Sequence, residues 1–206
     1  MCTSCCGPRC SRRWRNKEKA LQLQKTITEE YGVNCLAIRA DISKEDEVDA
    51  MVSQIEKQLG GVDVLINNAA IDLSNLFHLK TADQFRRTLD VNVVGAYICS
   101  KRVYSHMKQQ KYGRIINISS TNGINTYFPM CFDYDASKAA LISLTHNLAM
   151  QYAPYINVNA IAPGFLVSAQ NKALLFNEDG TPTARSEKIL NGTPTNRFVD
   201  AEELLG

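Results

Sequence analysis

Val62-Asp63-Val64-Leu65-Ile66 running into Asn67-Asn68-Ala69-Ala70 decides the fold of this chain. A short apolar run closed by polar and small residues suits a strand buried on both faces of a parallel sheet. Outward from it, helical and strand patterns alternate in the order of βαβ units, without internal repeats, low-complexity tracts or an obvious interdomain linker. Upstream, Lys17 to Tyr31 reads as a helix ending near Gly32, and Asn34 to Ala40 as a buried parallel strand with Asp41 at its carboxyl end. Ser43 is expected to cap a helix whose Val48, Met51, Val52, Ile55 and Leu59 share one stripe, closed by Gly60-Gly61.

Downstream, a loop runs to Thr81, which with Gln84 matches a capping box for a long helix containing Asn92. Arg114 to Ile118 reads as a strand ending in Ser119-Ser120, followed by a loop carrying Pro129 and a helix from about Tyr134 to Tyr152. Ile156 to Ile161 is a further strand, stopped by Ala162-Pro163-Gly164. The polar clusters thus fall just past strand carboxyl ends or on helices beside them, the edge where open α/β sheets bind ligands.

At 206 residues the expected organisation is one α/β domain. A formal charge of +2, from 23 basic and 21 acidic side chains, gives no field that points to nucleic acid or a membrane surface. No apolar run approaches the roughly 20 residues of a membrane span, and the first residues lack the apolar stretch of a secretory signal. A cytoplasmic protein acting on a small molecule is the expectation. Cys35, Cys99 and Cys131 sit singly in apolar segments, where reduced thiols act as small hydrophobes. His78, His106 and His146 show no metal-ligand spacing, so no metal is expected. Asn117-Ile118-Ser119 and Asn191-Gly192-Thr193 match the glycosylation pattern by chance.

Chemistry enters with Tyr134-Asp135-Ala136-Ser137-Lys138, which sets a phenol and an ammonium four residues apart on one helix face. An unperturbed phenol has a pKa of about 10, so it exchanges protons near neutrality only with help from its surroundings. Tyr and Lys at that spacing also occur on ordinary solvated faces. Asn92 equally suits backbone groups within its helix, Ser119 and Ser120 suit a turn, and Asp41 a helix entry. Their joint appearance shifts the balance.

From about Asn16 to Gly206 the chain resembles the short-chain dehydrogenase/reductase family. Asp41-Ile42, Asn67-Asn68-Ala69-Ala70, Asn92, Ser119-Ser120, Tyr134 to Lys138 and Pro163-Gly164 stand in the family's order with near-family spacing. Two departures are that Ala70 replaces the more usual Gly and that the Ser120 to Tyr134 loop is about one residue longer. The resemblance implies a Rossmann-like doubly wound parallel sheet and NAD- or NADP-dependent interconversion of an alcohol and a carbonyl. It implies Asn92, Ser120, Tyr134 and Lys138 as catalytic residues. Tyr134 would exchange the proton, aided by the Lys138 ammonium and an oxidised nicotinamide, which both favour the phenolate. Ser120 would hydrogen-bond the substrate oxygen and hold its carbon in line for hydride transfer. Lys138 would hold the ribose hydroxyls, and Asn92 would position a water linking Lys138 to solvent. By the same resemblance Asp41 and Ile42 contact the adenine, Asn68 and Ala69 beside Ala70 the ribose side, and Leu166 to Ser168, after Pro163-Gly164, the nicotinamide carboxamide. Helices near 81–110 and 134–152 resemble the family's dimer interface, which implies a homo-oligomer.

Parts of the family pattern are not found. No G-x-x-x-G-x-G turn occurs, and Asn16-Lys17-Glu18-Lys19 reads like the start of the helix that would follow the second strand. The expectation is a sheet lacking the first βαβ unit and the last strand. In the strand order 3-2-1-4-5-6-7, that separates Asn34 to Ala40 from its neighbours and leaves one edge of the Val62 to Ile66 strand unpaired. Residues 1–15 hold Cys2, Cys5, Cys6 and Cys10 beside Arg9, Arg12, Arg13 and Arg15. That stretch is expected to be unstructured or a misassembled translation. Zinc binding and palmitoylation beside a basic patch are its alternatives.

The segment Gln170 to Phe198 corresponds to the family's substrate-facing excursion. Asn171 to Gly180, Lys188-Ile189-Leu190 and Thr193 to Phe198 resemble the branch that reduces keto sugar acids such as fructuronate to mannonate. Earlier stretches are equally similar to 3-oxoacyl-acyl-carrier-protein reductases. A reading of another class is an inactive chain that serves only as a dimerisation partner.

Overall fold

A computed structural model describes residues 17–126, 130–168 and 171–204. Residues 1–15, with the expectations placed on them, lie outside the described residues, as does Pro129. The chain forms two compact units, one running to Ile161 and one from Ala162.

In the first unit, β1 (Val64–Asn67), β2 (Gly113–Ile118) and β3 (Ile156–Ile161) make a parallel sheet in that order. Leu65 lies opposite Ile115, and Ile115 opposite Val158. These residues are at most 5% exposed and form the core face of the sheet, while the alternate residues of the strands are half-buried or, in β3, exposed. The helices are α1 (Lys17–Tyr31), α2 (Glu45–Leu59), α3 (Ala82–Leu89), α4 (Gly95–Gln109) and α5 (Phe132–Tyr152). Val48, Met51, Val52 and Ile55 of α2 and Ile98, Val103 and Met107 of α4 join the strand residues in one core.

Two local expectations are corrected. Asn34 to Ala40 is not a strand: Ile38 and Ala40 pack against the core, and Ala37 N–H donates to Gln24 Oε1 at 3.0 Å. A strand exists only where a neighbour takes its backbone groups, and among the described residues β1 pairs on one edge alone, with β2. Nor does Ser43 cap α2. Its hydroxyl donates to Asp41 Oδ1 at 2.7 Å, and the helix begins at Glu45 after an uncapped Lys44. Glu45, Asp46 and Glu47 instead place negative charge in the first turn, where it complements the helix dipole.

Thr81 and Gln84 form the expected capping box on α3. The long helix beyond it widens through a π-helical turn over Asp90–Val94 before continuing as α4, and Asn92 lies in that turn. Gly95, just past the turn, is required by a close approach: a Cβ there would come within 2.7 Å of Ile42 Cδ1.

In the second unit, α6 (Lys172–Leu175) and α7 (Ala184–Asn191) are joined by a turn, and Thr183 caps α7 by accepting from Ser186 N–H. The Ser186 hydroxyl donates to the Leu175 carbonyl, and Leu166 bridges in parallel to Val199. Among the described residues no helix is long and apolar enough to cross a membrane.

Candidate active site

Ser120 follows β2, and Tyr134 and Lys138 are one turn apart on α5. The strand end and the helix are tied by the Ser119 hydroxyl, which donates to the Lys138 carbonyl at 2.9 Å, and by Ser119 N–H, which donates to Ile161 O at 2.7 Å. Gly123 allows the loop after Ser120 to lie on α5, because a Cβ there would stand 2.7 Å from the Lys138 carbonyl carbon. Ser120 Oγ accepts from Asn122 N–H at 3.1 Å, and Asn122 Nδ2 reaches Asp135 Oδ1 at 2.7 Å.

Lys138 is only 2% exposed, and its Nζ donates to the Ile118 carbonyl at 2.6 Å while lying 5.5 Å from the Tyr134 ring centroid. Burial lowers its pKa from 10.5 to about 8. The Tyr134 phenol is pushed up, foremost by burial; a hydrogen bond with the Ser120 hydroxyl opposes the rise, and Asp72, Asp135 and Cys131 add to it. Lys138 aims its charge at a backbone carbonyl, so this chain by itself holds the neutral phenol, the form that donates a proton.

Asn92 is 1% exposed and spends its side chain on the segment leaving β1. Its Oδ1 accepts from Ile71 N–H at 2.8 Å, and its Nδ2 donates to Ile71 O at 2.9 Å and to Ser137 Oγ at 2.9 Å. The side chain clamps that loop against α5. Asn67 extends the polar spine beneath: its Nδ2 donates to Asn117 Oδ1 at 2.8 Å, and Asn117 Nδ2 donates to Thr145 Oγ1 at 2.9 Å. Asn68 is exposed, with Ala69 and Ala70 half-buried beside it.

Asp41 is held within the chain by Ser43 and Arg87. Its Oδ1 accepts from Ser43 and its Oδ2 from Arg87 Nη2 at 2.9 Å, so both carboxylate oxygens are engaged within the chain. Burial raises this carboxyl, but the Ser43 and Arg87 hydrogen bonds outweigh it and hold the group below its ordinary value. Ile42 is 7% exposed and packs in the core. Pro163, Gly164, Leu166 and Ser168 belong to the second unit, where Ser168 N–H donates to Asn171 Oδ1 and Asn171 Nδ2 to Leu166 O.

Sequence reading missed a polar cluster around Tyr134. Lys80 and Asp133 form a buried ion pair at 2.7 Å, Ser74 Oγ donates to Asp72 Oδ2 at 2.7 Å, and Cys131 Sγ lies 3.5 Å from Ser74 Oγ. No local periodicity announces these pairings; the one available signal is the crowding of Asp133 and Asp135 around Tyr134.

A model of the short chain dehydrogenase family matches residues 7–179. This chain belongs to the short-chain dehydrogenase family. The match begins within the Cys- and Arg-rich stretch, upstream of Asn16. The chain is 35% identical over 186 residues to a 2-dehydro-3-deoxy-D-gluconate 5-dehydrogenase of Formosa agariphila, covering 86% of this chain and 66% of that relative, just under two thirds. It is 38% identical over 184 residues to a 3-oxoacyl-acyl-carrier-protein reductase of Staphylococcus aureus, covering 89% of this chain and 71% of the relative. A gluconate 5-dehydrogenase from Burkholderia cenocepacia, solved with NADP and tartrate, superposes with a TM-score of 0.82 at 29% identity, covering 92% of this chain and 72% of that one. The family is one of oxidoreductases that act on CH–OH groups with NAD or NADP.

The residues present fit such a cofactor on its catalytic side. The buried Lys138 ammonium has three donors, and among the described residues Ile118 O is its only acceptor. It is thereby suited to a ribose diol next to Tyr134.

Proposed function

We propose that this chain is an NAD- or NADP-dependent oxidoreductase that interconverts an alcohol and a ketone on a sugar acid. The carrying observation is the joint placement of Ser120, Tyr134 and Lys138, with Tyr134 held as a neutral phenol against the Ser120 hydroxyl. When bound, NADH or NADPH would supply the hydride to the carbonyl carbon and leave as NAD or NADP. Ser120 donates a hydrogen bond to the substrate oxygen, and Tyr134 gives its proton to that oxygen as negative charge develops there. Lys138, with a pKa near 8, then returns a proton toward Tyr134 and also holds the ribose hydroxyls. Asn92, by clamping Ile71 and Ser137, keeps the loop leaving β1 in register with α5. In the oxidative direction each proton moves the opposite way.

Sugar-acid chemistry is favoured by the likeness of the 171–198 stretch to that branch and by two similar proteins named for gluconate derivatives. A second reading, reduction of 3-oxoacyl thioesters, is supported by the 38% identity to a reductase of that class. Assay of the full chain with keto sugar acids and with 3-oxoacyl thioesters, each with NADH and NADPH, separates them. Turnover on thioesters alone overturns the sugar-acid choice. Absence of both turnover and cofactor binding favours the inactive-partner reading.

Assembly with a second copy through α4 and α5 is part of the proposal, as is a cytoplasmic location. Val94 at 42% just before α4, Tyr97 at 45% on α4 and Met150 at 82% on α5 leave apolar side chains exposed there. Sedimentation of wild type and Met150→Glu tests it, with a shift toward monomer expected in the variant.

A further inference from the structure

Lys80 and Asp133 are 2% and 0% exposed in their side chains and lie 2.7 Å apart. Phe132 walls them off: its ring stands 5.3 Å from Phe77 and 6.2 Å from Phe85, and Lys80 Nζ lies 5.5 Å from its centroid. A buried ion pair is a poor source of stability, because desolvation offsets the attraction and an apolar pair of similar volume does as well. Fixed geometry is what it supplies. Lys80 Nζ also donates to the Leu73 carbonyl at 2.5 Å, and Asp133 Oδ2 also accepts from Thr88 Oγ1 at 2.6 Å. Three elements therefore meet on one pair: the segment leaving β1, helix α3, and the first turn of α5, where Asp133 precedes Tyr134.

The segment so held carries Asp72 and Ser74. Ser74 bonds Asp72, and both touch the thiol of Cys131, which is 5% exposed just before α5. We propose that Lys80 and Asp133 are positioning residues, a buried latch that presses Asp72–Ser74 against the start of α5 and so sets which substrate groups meet Tyr134. The latch rests on the reading of Tyr134 as proton donor only for its effect on turnover. Its structural half stands separately.

Alkylation of Cys131 by iodoacetamide, followed by peptide mass spectrometry on the full chain, reads the latch without any need for activity. Cys99, 2% exposed, is the internal gauge of global unfolding. In Lys80→Met, loss of the charged hydrogen bonds is expected to speed Cys131 labelling about tenfold or more while Cys99 keeps its wild-type rate. Should the unpaired Asp133 prevent folding, the Lys80→Met/Asp133→Leu double variant removes both charges together, and the same acceleration is expected. Labelling of Cys131 within twofold of wild type in a folded double variant overturns the latch. Reactive Cys131 with unchanged kcat/KM overturns the positioning role, whereas a fall in kcat/KM of about tenfold or more supports it. A wild type without turnover counts against the proposed function and leaves the labelling result to decide the latch.

Discussion

Lys138 Nζ donates a 2.6 Å hydrogen bond to the carbonyl of Ile118, the last residue of β2, so the buried ammonium is anchored to the sheet rather than to the phenol one turn away. Burial takes its pKa from 10.5 to about 8. Below pH 8 the folded protein keeps the charge at the full cost of burial. Between pH 8 and 10.5 it releases a proton that the unfolded chain retains, so stability from this group rises with pH. The stability difference between wild type and Lys138→Met should therefore move in favour of wild type by about 3 kcal/mol across that window. Urea unfolding of both proteins at a series of pH values measures it. A difference that stays flat removes the claim that the amine is held against its preference.

Tyr134 is the proton donor of the proposed reaction, and the Ser120 hydroxyl is its hydrogen-bond partner. Tyr134→Phe keeps the ring and loses the proton, so kcat/KM should fall by about 10²- to 10⁴-fold. NADH and NADPH affinity, followed by fluorescence titration, should change little. A Phe variant within tenfold of wild type would sink the assignment.

How legible these features were depended on how local they are. The Thr81–Gln84 capping box and the placement of Tyr134 and Lys138 one turn apart follow from spacing along one helix. Ser43 departs from the expected cap because its hydroxyl has two suitors, the helix end and the Asp41 carboxylate, and Arg87, from a distant helix, secures Asp41 and Ser43 together. Asn34 to Ala40 has a strand's composition, but strand formation is a property of a pair, and its apolar residues alone did not supply a ladder. Lys80 gives no local sign and Asp133 only its crowding with Asp135 beside Tyr134, since an isolated lysine and aspartate look like surface residues until the fold buries them against each other.

Asn92 offers a stability test that does not depend on turnover. Its amide makes three hydrogen bonds, to both backbone groups of Ile71 and to Ser137 Oγ. Asn92→Ala leaves buried partners unsatisfied and should cost about 2–3 kcal/mol. For a chain of this size that lowers the melting temperature by roughly 5–10 °C. Calorimetry is the measurement, and a shift under about 2 °C would mean that the clamp holds little.

Gly123 gives the sharpest steric prediction. A Cβ there would stand 2.7 Å from the Lys138 carbonyl carbon, 2.9 Å from the Lys138 oxygen and 2.9 Å from Ala139 N, all backbone atoms of α5 that cannot swing aside. Gly123 N–H donates to the Ser120 carbonyl at 2.9 Å, so a loop pushed off the helix takes Ser120 with it. Gly123→Ala should cost about 1–3 kcal/mol through overpacking. A displacement of Ser120 by about 1 Å should lower kcat/KM by up to 10²-fold, with the loss in kcat rather than in cofactor affinity. Gly192→Ala is the control, because its Cβ would meet nothing closer than the Lys188 carbonyl oxygen at 3.4 Å. Wild-type kcat and melting temperature in Gly123→Ala would show that the loop does not need its close approach to α5.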